Sequence, residues 1–175
     1  MEKISMAIIC LIVFFVSYSY AGNLNNGLSA YDKGDYRTAY KLLLIDAKKG
    51  NANAQSRLGI MYYNGQGVPQ DYKGAVKWWL LAAEQGQAAA QYILGSIYAN
   101  GEGVLPDYKE AVKWWRLAAE QGVVLAKCHL AQMYAGGLGI TRDLKTANSL
   151  AREGFDAGGQ YCEKVLWYKY DSANY

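Results

Sequence analysis

Histidine occurs once in these 175 residues, proline twice and cysteine three times, and each scarcity narrows what the chain can do. The lone histidine, His129, has no second imidazole near it in sequence, which argues against a zinc site; no metal and no other cofactor is expected. His129 falls at a position of mixed polarity in the pattern described below, and a solvent-facing ring is expected. Charge of either sign is also sparse: 18 basic and 15 acidic residues give a net +3 without clustered Lys or Arg. A nucleic-acid partner is therefore not expected. Neither Ser-x-x-Lys nor Gly-x-Ser-x-Gly occurs, so no nucleophile paired to a base can be named and no catalytic residue is assigned. No segment alternates polar and apolar residues over a strand length, which leaves helices. The length suits one domain with a real core. Sixteen tyrosines and many alanines suggest helices packed through aromatic and small faces.

Residues 1–21 stand apart. Lys3 precedes an uncharged run, Met6–Val16, and a polar stretch ends Ser19-Tyr20-Ala21 with small residues where a signal peptidase reads. The run is short for a membrane span and has the order of a secretory signal peptide. Cleavage before Gly22 would leave a periplasmic or secreted chain with no membrane span; an uncleaved anchor is the alternative. Loss of Glu2 and Lys3 together leaves the net charge at +3, and loss of Cys10 leaves Cys128 and Cys162.

What is abundant is self-similarity. Residues Ala52–Gly86 match Ala88–Gly122 at 24 of 35 positions with an offset of 36. A degenerate third copy keeps Ala126, Leu130, Tyr134, Gly137, Gly139, Asp143, Ala147 and Gly158, and half a copy precedes the first at Asp35, Tyr36, Ala39, Ala47 and Gly50. A period of this length implies a solenoid whose units bury apolar faces on their neighbours. Each unit reads as two helices. The first runs from about Ala52 to Asn64 and stops at Gly65; a Gly-x-Gly loop leads to Asp71, a candidate N-cap, and the second helix ends at Gly86. Asp107-x-x-Glu110 reads as a capping box. Trp78, Trp79, Trp114 and Trp115 recur in register with Ala75 and Ala82, so core packing is expected rather than an exposed stacking surface. The Gly-x-Gly loops join helices and repeat with the period, unlike a phosphate cradle.

These motifs closely resemble Sel1-like repeats of the tetratricopeptide-repeat superfamily. The residues that carry the resemblance are Ala54-Gln55-x-x-Leu58-Gly59-x-x-Tyr62-x-x-Gly65-x-Gly67-Val68 and Asp71-Tyr72-x-x-Ala75-x-x-Trp78-Trp79-x-x-Ala82-Ala83-x-x-Gly86, repeated from Ala90 to Gly122. The likeness covers roughly Gly27 to Cys162. It implies an all-α, right-handed α-solenoid of antiparallel helix pairs whose first helices line a concave face. It further implies a role as adaptor or regulator, often at the bacterial envelope. The resulting layout is a signal peptide at 1–21, an N-terminal capping pair at 22–50, repeats at 51–86, 87–122 and 123–158, and a closing helix at 159–175. In the third unit Leu150-Ala151 replaces the Trp pair and Gly154 is expected to break the second helix.

Positions that vary between units are the expected binding signal, since each would meet a different part of a ligand. The resemblance places Asn53, Ser56, Ile60, Tyr63 and Asn64 on the concave face of the first repeat. Tyr92, Ser96 and Asn100 follow, beside Ala89 and Ala99, and then Leu125 and Gln132 beside Cys128. The face is uncharged and suits a protein partner, such as an envelope protein or a toxin, better than a polyanion. A periplasmic immunity protein against a toxic effector is one alternative. A β-lactam- or cell-wall-active hydrolase, suggested by cysteine-rich relatives, is disfavoured by the missing motifs. Cys162 aligns with the buried Ala54, Ala90 and Ala126, whereas Cys128 aligns with Ser56 and Tyr92, so the two side chains are expected to diverge as free thiols.

Overall fold

The computed structural model of the chain describes residues 24–162. Helix α1 spans 24–32 and is followed by α2 (Tyr36–Lys48), α3 (Ala52–Asn64), α4 (Tyr72–Glu84), α5 (Ala88–Asn100), α6 (Tyr108–Glu120), α7 (Val124–Gly136) and α8 (Leu144–Asp156), then a 3-10 turn at Gln160–Cys162. No strand occurs among the described residues, in keeping with the all-α expectation. The segment read as a signal peptide, and the closing helix beyond Cys162, lie outside them. The chain divides into two compact units, 1–75 and 76–175, with the boundary inside α4.

One local device repeats in both units. Gly65, Gly101 and Gly137 each take a left-handed conformation (φ 69°, 77° and 68°) that ends the first helix of a pair, a geometry that costs glycine least. The chain then turns back, and the N–H of Asp71, Asp107 and Asp143 donates to the carbonyl of Tyr62, Tyr98 and Tyr134 at 2.9, 2.8 and 3.0 Å. Each loop is thus clasped to the helix it has just left. The Asp107 carboxylate caps α6 through the N–H groups of Lys109 and Glu110. The full capping box fails for a clear reason: Tyr98 already holds the Asp107 N–H, and Glu110 pairs with Lys113 at 3.1 Å instead.

In the first unit α2 and α3 pack through Ala39, Leu43, Ala54, Leu58 and Met61, all fully buried. Buried Gln55 donates Nε2 to the Ala47 carbonyl at 3.1 Å, which satisfies one of the acceptors that the end of α2 leaves open. The Tyr40 and Tyr62 hydroxyls meet at 3.0 Å, and that bond pushes the Tyr40 phenol up to about 12.

The second unit shows what the tryptophans do. Trp115 on α6 is buried against Gly95 on α5, where a Cβ would fall 2.5 Å from its Nε1 and 2.7 Å from its Cγ. Gly95 therefore leaves the room that the indole fills. One period later both partners change together: Ala131 replaces the glycine, Ala151 replaces the tryptophan, and the two alanines are packed in one small buried cluster. Gln91 repeats the glutamine bracket, donating to Ala83 O at 3.1 Å while accepting from Gln121 at 2.7 Å. Lys127 stands in the corresponding place and pairs with Glu153 at 2.9 Å.

Two expectations fail at the end of this unit, for one reason. Gly154 does not break α8, which runs unbroken to Asp156, and the two cysteines are not free thiols. Cys162 sits in the 3-10 turn rather than on a regular first helix, and it forms a disulfide with Cys128 across a Cα–Cα distance of 4.8 Å. A Cβ on Gly154 would strike the Cys162 sulfur and lie 3.3 Å from that of Cys128, so the glycine makes room for the bridge. Repeat alignment misled because it carried the helical register past Gly158-Gly159, where the chain turns tightly toward α7. Closing a loop of 34 residues stabilises the fold by about 3–4 kcal/mol in the chain-entropy account.

Two outcomes are expected. Replacing Trp115 with Ala should cost about 3–5 kcal/mol in chemical denaturation, and Gly95→Ala about 1–3 kcal/mol through overpacking, despite the better helix former. The double variant should cost less than the sum, since it reproduces the Ala131–Ala151 solution; strict additivity would show that the pair is not coupled. A chain starting at Gly22 and folded in an oxidising medium should titrate no free thiol after denaturation until reductant is added. Two thiols would refute the bridge.

Candidate functional site

The first helices of the repeats are chemically unlike the second ones. Helix α3 carries one ionised side chain, Arg57; α5 carries none; α7 carries Lys127 beside the titratable His129. Helix α6 alone carries Lys109, Glu110, Lys113, Arg116 and Glu120. The candidate site is the uncharged side of the first helices, taken within each unit.

In the first unit Asn53 and Asn64 are exposed at the two ends of α3, and Ile60 and Tyr63 are half-buried between them. The Tyr63 ring meets Tyr72 edge-on at 5.1 Å, and Gln70 bridges this pair by donating to the Tyr63 carbonyl and the Tyr72 hydroxyl. Ser56 corrects the expectation. It is only 6% exposed, so it contributes packing rather than contact surface. Cys128, in the same column, is fully buried in the disulfide, whereas the larger Tyr92 of that column stays half-buried. Arg57 lies over the Tyr31 ring at 4.4 Å.

In the second unit the expected residues gather around a histidine that the sequence reading had turned toward solvent. The His129 ring stacks on Trp115 (centroids 4.7 Å apart, planes 11°) and is flanked by Tyr92 at 5.9 Å and Tyr161 at 5.1 Å. Burial among these rings pushes its pKa below the ordinary value, opposed by a hydrogen bond with Gln132. The Tyr92 hydroxyl reaches Nε2 at 3.5 Å. Alignment hid this because the same column holds Arg57 and Ile93, an average of polar and apolar that describes neither. Ser96 donates back to the Tyr92 carbonyl at 3.3 Å, and exposed Asn100 donates to Glu102 at 3.3 Å. Leu125 is 44% exposed at the start of α7. Tyr161, 40% exposed, was absent from the expected set because the tail was read as a regular helix. The arrangement is a row of rings, half-buried Tyr92 and His129 and exposed Tyr161, from α5, α7 and the 3-10 turn, bordered by amides and the exposed Leu125. Such a surface offers contact area and hydrogen bonds with little net charge, the composition of a protein-contact surface.

Among the described residues no group of three or more His, Cys, Asp and Glu could hold a metal ion, and no helix is long and apolar enough to cross a membrane.

The comparisons agree with this repeat geometry. The Sel1 repeat family model matches residues 52–87, 88–123 and 124–158. Among solved structures, a Sel1 repeat protein from Oxalobacter formigenes is 33% identical with a TM-score of 0.79, covering 87% of this chain and 61% of that one. A protective antigen of uropathogenic Escherichia coli strains with an SLR fold is 30% identical at a TM-score of 0.58, covering 85% of this chain and 40% of that one. In both cases this chain spans less than two thirds of the other protein. The Helicobacter pylori cysteine rich protein B shares the fold at 22% identity and a TM-score of 0.55, over 71% of this chain and 96% of that one. No curated protein matches. With three matched repeats in register over more than half its length, each closed by the same glycine and clasped by the same aspartate, the chain belongs to the Sel1-repeat family, in the tetratricopeptide-like superfamily.

Proposed function

We propose that this Sel1-repeat protein is an exported binding module that seats a protein partner on the uncharged side of its first helices. The observation that carries the reading is the contrast in charge between helix types, joined to the ring row of Tyr92, His129 and Tyr161 with exposed Leu125 beside it. Aromatic rings held by their neighbours give large contact area at little entropic cost. Asn53, Ile60, Tyr63 and Asn64 extend the same chemistry in the first unit; Ser96, Asn100 and Gln132 do so in the second. Export is supported by the disulfide, a bond that persists in oxidising compartments, and by the signal-like order of residues 1–21. The periplasm or the exterior is therefore the proposed location. The partner is a protein of that compartment; neutralising a toxic effector there is a finer possibility that would use the same surface.

Mass spectrometry of the protein from its native host should find a chain beginning near Gly22 and lighter by the two hydrogens of a closed bridge. A full-length reduced chain would overturn the location. With a partner captured from envelope extract, Tyr92→Ala, Tyr161→Ala and Leu125→Glu should each weaken binding by about 1–3 kcal/mol with helicity unchanged. Affinity should depend weakly on salt, because the surface carries almost no charge. Full affinity in all three variants would place the interface elsewhere, and an immunity role would require the same variants to lose protection of cells.

A further inference from the structure

On the other side of α7 the second unit has a cleft of ≈ 390 Å³ between α6 and α8, at the small end of ligand-site volumes and suited to one side chain. Its floor is apolar: Ala119 from α6, Leu130 from α7 and Leu150 from α8. Its two ends differ. At one, the Arg116 guanidinium donates to the Tyr134 hydroxyl at 3.5 Å and makes no ion pair among the described residues, and the hydroxyl keeps its own proton to donate. At the other, Lys127 is already paired with Glu153 at 2.9 Å; Glu120, one turn along α6 from Arg116, also lines the cleft. The Asp143 carboxylate, at the start of α8, is engaged locally: it accepts from the Lys145 and Thr146 N–H groups and from the Thr146 hydroxyl.

One period earlier the position of Leu150 is held by Trp114, which is buried. The exchange of Trp for Leu shortens the side chain where an indole lies in the previous unit. The same period replaces Leu117 with Glu153 and Gln91 with Lys127, so the opened volume gains a polar rim instead of closing over. We propose that this cleft is a second binding site, which accepts an aromatic side chain, an indole above all, from a partner segment that also presents a carboxylate to Arg116. The ring takes the room over Leu130 that the shorter Leu150 leaves where the preceding repeat has a tryptophan. The carboxylate meets Arg116, which makes no ion pair among the described residues, whereas Lys127 is already held by Glu153. The site is distinct from the ring row on the first helices, and neither proposal depends on the other.

The probes are N-acetyl-tryptophan, which carries ring and carboxylate, and N-acetyl-tryptophanamide, which lacks the charge. Amide chemical-shift titration of the folded chain should show saturable shifts clustered on α6, α7 and α8 around the cleft. The charged probe should bind several-fold more tightly, and Arg116→Gln should abolish that preference without abolishing ring binding. Leu150→Trp, which restores the residue of the preceding repeat, should fill the cleft and remove binding of both probes while the protein melts no lower than the parent. Shifts that scatter over the surface, or a Leu150→Trp protein that is folded and still binds, would overturn the proposal. Equal affinity for the two probes would overturn the role of Arg116. Tyr92→Ala should leave both probes bound as before, which separates this site from the ring row.

Discussion

The contact between an indole and an absent side chain holds the second unit in register. Trp115 can lie flat between α5 and α7 only because Gly95 has no Cβ to oppose it, and its other neighbour, His129, is stacked on the ring. Burying an aromatic of this size is a large favourable term. It can be collected at one separation of the helices alone, since interiors pack as tightly as crystals and tolerate neither gap nor overlap. The alanines of the repeat, fully buried at 82, 90, 111, 118 and 126, are the complement: they keep every other contact short enough for the ring to remain the spacer. When the spacer is removed in the last repeat, the glycine must be filled, and Ala131 with Ala151 does so. The two positions change together: a glycine is tolerated where an indole fills the space beside it, and an alanine stands where the indole is gone.

That rule leads directly to the functional side of the molecule. His129 presents its ring among Tyr92 and Tyr161 because Trp115 supplies a flat base beneath it, so the candidate contact row rests on the core itself. On the second helices the loss of a ring at Leu150 opens a cleft where its predecessor is closed. Two surfaces of opposite character, one nearly neutral and one edged with paired and unpaired charge, thus arise from substitutions at neighbouring repeat positions.

Much of this was legible in the sequence because the repeat states it three times. Helix ends at Asn64, the left-handed glycines and the burial of Trp79, Trp114 and Trp115 follow from residue type and spacing, though Trp78, expected with them, is only half-buried; α3 begins and ends where periodicity puts it. What was not legible lay where the third copy departs from the other two. Gly154 looks like a helix breaker by propensity, yet its value is the missing Cβ beside two sulfur atoms, which no linear pattern encodes. Ser56 was placed on the surface because its column varies between repeats, although there it is a small residue buried against its neighbours. His129 was hidden by an average over Arg57 and Ile93. The Asp107 cap was legible, but the hold of the Tyr98 carbonyl on its N–H was not, because the partner lies across a loop. In each case what decided the outcome was a neighbour brought close by the fold, which neither propensity nor a repeat column records.

The disulfide has a topological meaning beyond its strength. In a repeat array each unit contacts only its neighbours, so the last ones can peel away independently of the rest. Here the bridge joins α7 to the turn that follows α8, and the whole of α8 lies inside the covalent ring from Cys128 to Cys162. A helix enclosed in this way may lose its hydrogen bonds for a moment but cannot diffuse off its neighbour. The number of conformations open to it stays small, and the return is a short intrachain search. The least regular of the three repeats, the one without a tryptophan pair in its second helix, is therefore the one that is tethered at both ends.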